Sequence, residues 1–308
     1  MAITAAMVKE LREATGAGMM DCKKALNETN GDMDKAVEFL REKGLAAMAK
    51  KANRIAAEGI VAIKACDCGK AAAIVEVNSE TDFVAKNADF QAYVAKVAAQ
   101  ALDTKAETLE AFMAEPWAED TSLTVEQALS QKIAIIGEKL SIRRFQKVSI
   151  DNGVVATYIH AGGKIGVIVA LETESDSDAV KECGKNVAMQ IAALNPKYVD
   201  RSEVPADFIE HEKEILKTAA KNENPDKPDN IIEKMIIGRL NKELKEVCLV
   251  DQAYVKDGDL TVQKYVDSVA KEVGTSIKIK SFVRFETGEG MEKREDDFAA
   301  EVAKQAGM

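Results

Sequence analysis

Residues 73–82, AIVEVNSETD, and residues 167–176, VIVALETESD, are approximate copies of one another. Each reads as an apolar strand, an acidic turn and then a helix, so the chain is expected to hold two related sheet-plus-helix subdomains of α+β class. The surroundings of each copy agree. In the first, residues 60–65 and 73–78 read as strands, with Val75 and Val77 alternating with Glu76 and Asn78, and residues 66–70 join them as a hairpin. Phe90, Tyr93, Val94, Val97, Ala98 and Ala101 follow at helical spacing, an apolar stripe suited to covering one face of a sheet. Residues 103–123, acidic and carrying Pro116 and the single tryptophan, read as a helical insertion, and residues 125–140 as a further amphipathic helix.

In the second copy, strands are expected at 141–149, 154–160 and 164–171, with a helix near 179–194. Phe208, Ile215, Leu216 and Ala219 stripe one helix. Ile232, Met235, Ile236 and Leu240 stripe another, and the Pro/Asn loop at 222–230 joins the two as an antiparallel hairpin inserted into this subdomain. Strands return at 248–255 and 277–285. A Gly-rich turn and a helix at about 296–304 close the chain.

The first fifty residues have helical spacing only. Thr4 and Asp32 are N-cap candidates, Gly16 and Gly18 supply one turn, Asn30 and Gly31 another, and Gly44 reads as the stop of a third helix. Residues 46–54, with Lys50, Lys51 and Arg54 and few large apolar groups, read as a partly helical linker whose charges are solvated.

With 42 Lys and Arg against 52 Asp and Glu, a net charge of -10 argues against the basic surface that non-specific nucleic-acid binding needs, leaving room only for a small local patch. Apolar runs such as residues 165–171 fall far short of the ~20 residues of a membrane span, and the N-terminus shows no signal or transit pattern. A cytoplasmic protein, starting at Met1 or Ala2, is expected. Cys22, Cys66, Cys68, Cys183 and Cys248 are odd in number and scattered, which suits free thiols rather than a disulfide framework. Cys66 and Cys68 have no second pair to complete a zinc site, so the C-x-C reads as a detail of the hairpin.

Enzyme signatures are missing. The sequence Gly162-Gly163-Lys164-Ile165 lacks the spacing and hydroxyl of a phosphate-binding Walker loop, no dinucleotide or nucleophile-elbow motif occurs, and His160 and His211 stand apart from any spaced ligand set. What stands out is the turn after the first repeated strand. There Thr81, Asp82, Phe83 and Val84 occupy the place held in the second copy by Ser175, Asp176, Ser177 and Asp178. Asp82 or Thr81 can cap the following helix. Phe83 either folds inward as a staple or projects beside a carboxylate as a wedge for a partner.

The run EVNSETDFVAK at 76–86 and the run LREATGAGMMDCKKAL at 11–26 closely resemble the two signatures of the bacterial elongation factor Ts family. The resemblance continues through HAGGKIGV at 160–167 and FVRFETGEGMEK at 282–293, with extra length around 103–124 as its main departure. It implies a guanine-nucleotide exchange factor for elongation factor Tu, using no cofactor and acting by differential binding rather than as an enzyme. The alternative is a non-catalytic binding module for a different translation-related partner. The implied domains are a ubiquitin-associated-like three-helix domain with linker (1–54), core subdomains at 55–140 and 141–285, a hairpin at about 204–244 used for homodimerisation, and a C-terminal module (286–308). The implied wedge that disturbs the partner's magnesium site is Thr81, Asp82, Phe83 and Val84. Implied partner contacts are Met19, Met20 and Lys23, together with His160 and Gly162, although one of the two methionines can instead serve as helix core.

Overall fold

The computed structural model describes residues 3–292 apart from residue 226. Its N-terminal part holds α1 (Ala5–Thr15), α2 (Met19–Glu28) and α3 (Met33–Lys51). The Thr4 hydroxyl accepts from the Met7 amide and the Asp32 carboxylate from Lys35, so both expected N-caps satisfy first-turn amides that have no partner within the helix. Val8, Leu11, Cys22, Ala25, Leu26 and Ala36 form the buried cluster. So small a core contributes little stability alone, and α3 adds a second attachment. Contrary to expectation, Gly44 does not stop α3; it is buried, and a Cβ there would meet the Ser130 carbonyl oxygen at 3.3 Å. The glycine lets two helix backbones approach, and much of the expected linker is the continuation of α3 beyond that contact.

Two three-stranded antiparallel sheets follow. The first has β1 (Glu58–Ala65), β2 (Ala71–Ser79) and β5 (Ser141–Ser149) in the order β1-β2-β5. The second has β6 (Gly153–His160), β7 (Ile165–Glu172) and β10 (Lys278–Glu286) in the order β10-β7-β6. The outer face of the first is covered by α5 (Ala88–Asp103), whose predicted stripe from Phe90 to Ala101 is buried. The outer face of the second is covered by α8 (Asp178–Leu194) and α11 (Val262–Val273). The inner faces meet through Val61, Ile74, Val155, Ile168, Val283 and Phe285. Both faces of the central strands β2 and β7 are therefore covered, which is why they read as nearly continuous apolar runs.

Glu76 and Asn78 alternate with Val75 and Val77 as the sequence suggested, yet both are buried, because their side of β2 meets the other sheet and not water. Arg143 at 3.0 Å, Arg144 at 2.6 Å, the Asn78 amide at 3.1 Å and the Gly288 N–H at 2.8 Å all donate to the Glu76 carboxylate. Thr287 and Gly288 thus pack back onto the core, and the helix expected at 296–304 lies outside the described residues.

The expected helical insertion at 103–123 is only partly helical. It consists of α6 (Leu109–Ala114) and a small hairpin of β3 (Pro116–Trp117) and β4 (Asp120–Thr124), leading into α7 (Val125–Ile136). The second copy has the same plan: α9 (Ala206–Glu223) and α10 (Asp229–Val247), then a hairpin of β8 (Ala253–Tyr254) and β9 (Asp257–Thr261), then α11. A buried glutamine binds each small hairpin. Gln100 donates to the Pro116 carbonyl and accepts from the Ala118 amide, while Gln190 donates to Ala253 and accepts from Val255. The repeat therefore runs well beyond its first strand and turn, and α6 stands where the long hairpin stands in the second copy.

Cys66 and Cys68 lie in the β1–β2 turn and are joined as a disulfide, against the expectation of free thiols. The tight turn holds their Cα atoms 5.2 Å apart, within disulfide range. Cys22, Cys183 and Cys248 are free and buried.

Candidate functional site: an exposed wedge on a clamped turn

At the end of β2 the chain enters α4 (Asp82–Ala85), a single turn capped by the Thr81 hydroxyl, which accepts from the Val84 amide at 3.4 Å. Ala85 is buried and Val84 packs partly against the first core. With roughly 100° between successive helical residues, anchoring Val84 and Ala85 turns Phe83 away. Phe83 is 82% exposed, so it is not folded inward as a staple. Asp82 lies beside it and pairs with Lys86 at 2.7 Å. The hydrogen bond from Lys86 holds the Asp82 carboxyl below the usual carboxylate range, and the nearby charge of Lys164 adds to this.

Glu138, in the loop between α7 and β5, fixes the base of this turn. Its Oε2 accepts from the amides of Glu80 at 3.1 Å and Thr81 at 3.0 Å, and its Oε1 accepts from the Thr81 hydroxyl at 2.7 Å. The Lys139 amide donates to the Glu80 carboxylate, which also pairs with Arg54 at 3.2 Å. Lys139 Nζ donates to the carbonyls of Ala52 and Arg54, at 2.6 and 2.8 Å. The segment after α3 is thereby tied to the foot of the wedge.

His160 ends β6 and is exposed, its Nδ1 3.0 Å from the Tyr158 hydroxyl. Ala161, Gly162 and Gly163 then take positive φ values of 49°, 65° and 99°, a turn with two glycines where the left-handed backbone needs them. Lys164 pairs with Glu58 of β1, at 2.5 Å, and is close enough to Asp82 to lower its pKa. The structure thus brings His160 and Gly162 to the same end of β1 as the wedge. Met19 and Met20 are 57% and 75% exposed, and Lys23, one helical turn on, is exposed with them. Neither methionine serves as helix core, because Cys22, Ala25 and Leu26 hold the inward face. The N-terminus of α2 borders a cleft lined by Gly18, Asp21, Lys43, Gln131 and Ile135, so it faces α7 across that cleft. α7 in turn runs into the Glu138 loop. Glu138 and Glu80 were not singled out from the sequence, where each is one charged residue among many, and Lys164 was weighed only as part of a Walker-loop candidate and set aside.

The features that stand out are exposed apolar side chains: an aromatic beside a charged pair on a braced turn, and two methionines at the start of α2. That is the geometry of a protein-binding factor. The family model described as Elongation factor TS matches residues 80–289 and so begins at the base of the wedge. An "Elongation factor Ts" of Clostridioides difficile (strain 630) is 58% identical over 303 residues, covering 98% of each chain. One of Clostridium botulinum (strain Eklund 17B / Type B) is 54% identical over 305 residues, covering 99% of each. This chain belongs to the elongation factor Ts family.

Proposed function

We propose that this chain is the guanine-nucleotide exchange factor for elongation factor Tu, serving translation elongation in the cytoplasm, and that Thr81, Asp82, Phe83 and Val84 disturb the partner's magnesium and phosphate site. The exposure of Phe83 on a turn braced from two sides carries the reading. A factor that binds the nucleotide-free partner more tightly than the loaded one weakens nucleotide binding by the same ratio, so exchange needs no chemical step. Burying one phenylalanine is worth about 1.5–3 kcal/mol, or roughly tenfold to 150-fold in affinity. Asp82 adds repulsion toward phosphate once the partner draws it from Lys86. Met19, Met20, Lys23, His160 and Gly162 complete the contact surface in this reading.

The wider architecture is read in the same way. The three-helix part is a ubiquitin-associated-like domain (1–54), the two sheets with their helices are related core subdomains (55–140 and 141–285), and the α9–α10 hairpin is a dimerisation arm. Ile215 and Ile237, exposed on that hairpin, support the last point. The deciding experiment is stopped-flow release of fluorescent GDP from elongation factor Tu in excess magnesium. Acceleration by the intact protein, cut tenfold or more by Phe83→Ala, is the expected result. No acceleration by the intact protein overturns the function, and acceleration kept by the variant moves the mechanism away from the wedge.

A further inference from the structure

We infer that Glu138 is a positioning residue for exchange, holding Phe83 in its projecting direction before the partner arrives; this rests on the reading of Phe83 as the wedge. α4 has four residues, whereas an isolated helix needs roughly 12 or more to hold itself in water. Phe83, being 82% exposed, has almost no packing of its own to fix it. Its direction must come from its neighbours. Val84 and Ala85 supply one side of the support and Glu138 the other.

The hydroxyl of Thr81 has a single proton, which it donates to Glu138 at 2.7 Å, leaving its lone pairs for the Val84 amide. Glu138 thereby sets the rotamer of the residue that caps α4. The bracing also runs both ways. Glu138 accepts the amides of residues 80 and 81, while Glu80 accepts the amide of Lys139. Glu138 sits between two fixed elements: α7 is closed by Gly137 in a left-handed conformation, and β5 begins at Ser141. A carboxylate is suited to this task because it accepts all three donors and offers none in competition.

If only a fraction of molecules hold the wedge ready, the apparent affinity for the partner falls by that fraction. Glu138→Ala is therefore expected to raise the concentration of factor giving half-maximal GDP release by roughly tenfold, the scale of losing charge-assisted hydrogen bonds, with the maximal rate kept within about twofold. Glu138→Gln, which keeps one acceptor oxygen, should fall between. Amide exchange at Glu80 and Thr81 should quicken in both variants while the interior of β2 stays protected. The decisive comparison is a double-mutant cycle with Phe83→Ala. If Glu138 acts through the wedge, Glu138→Ala adds little in a chain that already lacks Phe83. An equal loss with and without Phe83, or an unchanged half-maximal concentration in a folded Glu138 variant, overturns the inference. If Phe83→Ala alone leaves exchange intact, the wedge reading falls and takes this inference with it, whereas a damaged Phe83→Ala beside an intact Glu138→Ala removes the inference alone.

Discussion

Phe83 leaves unburied a side chain whose full burial is worth about 1.5–3 kcal/mol, so its replacement should cost the free protein almost nothing. Phe83→Ala is expected to melt within about 1 °C of the parent, an effect of ~0.5 kcal/mol or less on the usual scaling, while losing exchange activity. A large drop in melting temperature would mean that Phe83 packs inward. Glu76 is the opposite case. Burial opposes its charge, but the Gly288 amide, Asn78, Arg144 and Arg143 outweigh that and hold its carboxyl below the usual range. A depressed folded pKa stabilises fully above the unfolded value of about 4.3 and is lost as pH falls through the lower folded value. Stability to urea should therefore fall on acidification below about pH 4, and this slope should flatten in Glu76→Gln. Glu76→Ala, which takes from Arg143 and Arg144 their shared partner but leaves their bonds to Glu286 and Glu289, should cost about 1–3 kcal/mol at neutral pH.

Among elements, the outer helices seat as closely as the smallest side chains permit. A Cβ on Gly184 of α8 would come 2.5 Å from the Ala156 Cβ on β6 and 3.2 Å from Leu171. Ala has the better helix propensity by about 1 kcal/mol, but lifting the helix from the sheet costs about 1–3 kcal/mol, so Gly184→Ala should be net destabilising in urea titration. Stabilisation would show that α8 has room to move outward. Gly44 in α3 has a gentler contact, 3.3 Å to a carbonyl oxygen. Its packing role was hidden because a glycine near the end of an apolar helical stripe reads equally well as a stop signal.

At the scale of the whole molecule, the α9–α10 hairpin has its own small core, with Leu216, Ala220, Ile232, Ile236, Leu240 and Leu244 buried between its helices. Ile215 and Ile237 stay outside it, 48% and 57% exposed. The double substitution Ile215→Asp with Ile237→Asp should shift sedimentation from dimer to monomer while leaving the exchange rate per chain unchanged. A parent that sediments as a monomer at tens of micromolar would remove the dimer reading. The wedge belongs to another part of the fold, where the segment after α3, the α7–β5 loop, the β6–β7 turn and the end of β2 converge.

Local order was settled within the chain itself. Helical stripes, caps at Thr4 and Asp32, the apolar strands and the repeated strand-and-turn are carried by short-range spacing, so they were legible from the residues alone, as was the oddity of Phe83 beside Asp82. The three-dimensional pairing of distant segments decided the rest. That Glu76 meets two arginines depends on β5, which pairs beside it from Ser141 onward, and that it is shielded from water depends on a second sheet that starts 77 residues later, at Gly153. Whether Phe83 points in or out depends on a glutamate 55 positions away, and neither separation leaves a periodic trace. Spacing along a chain reports which face of an element a residue occupies, but what covers that face is a property of the packed molecule.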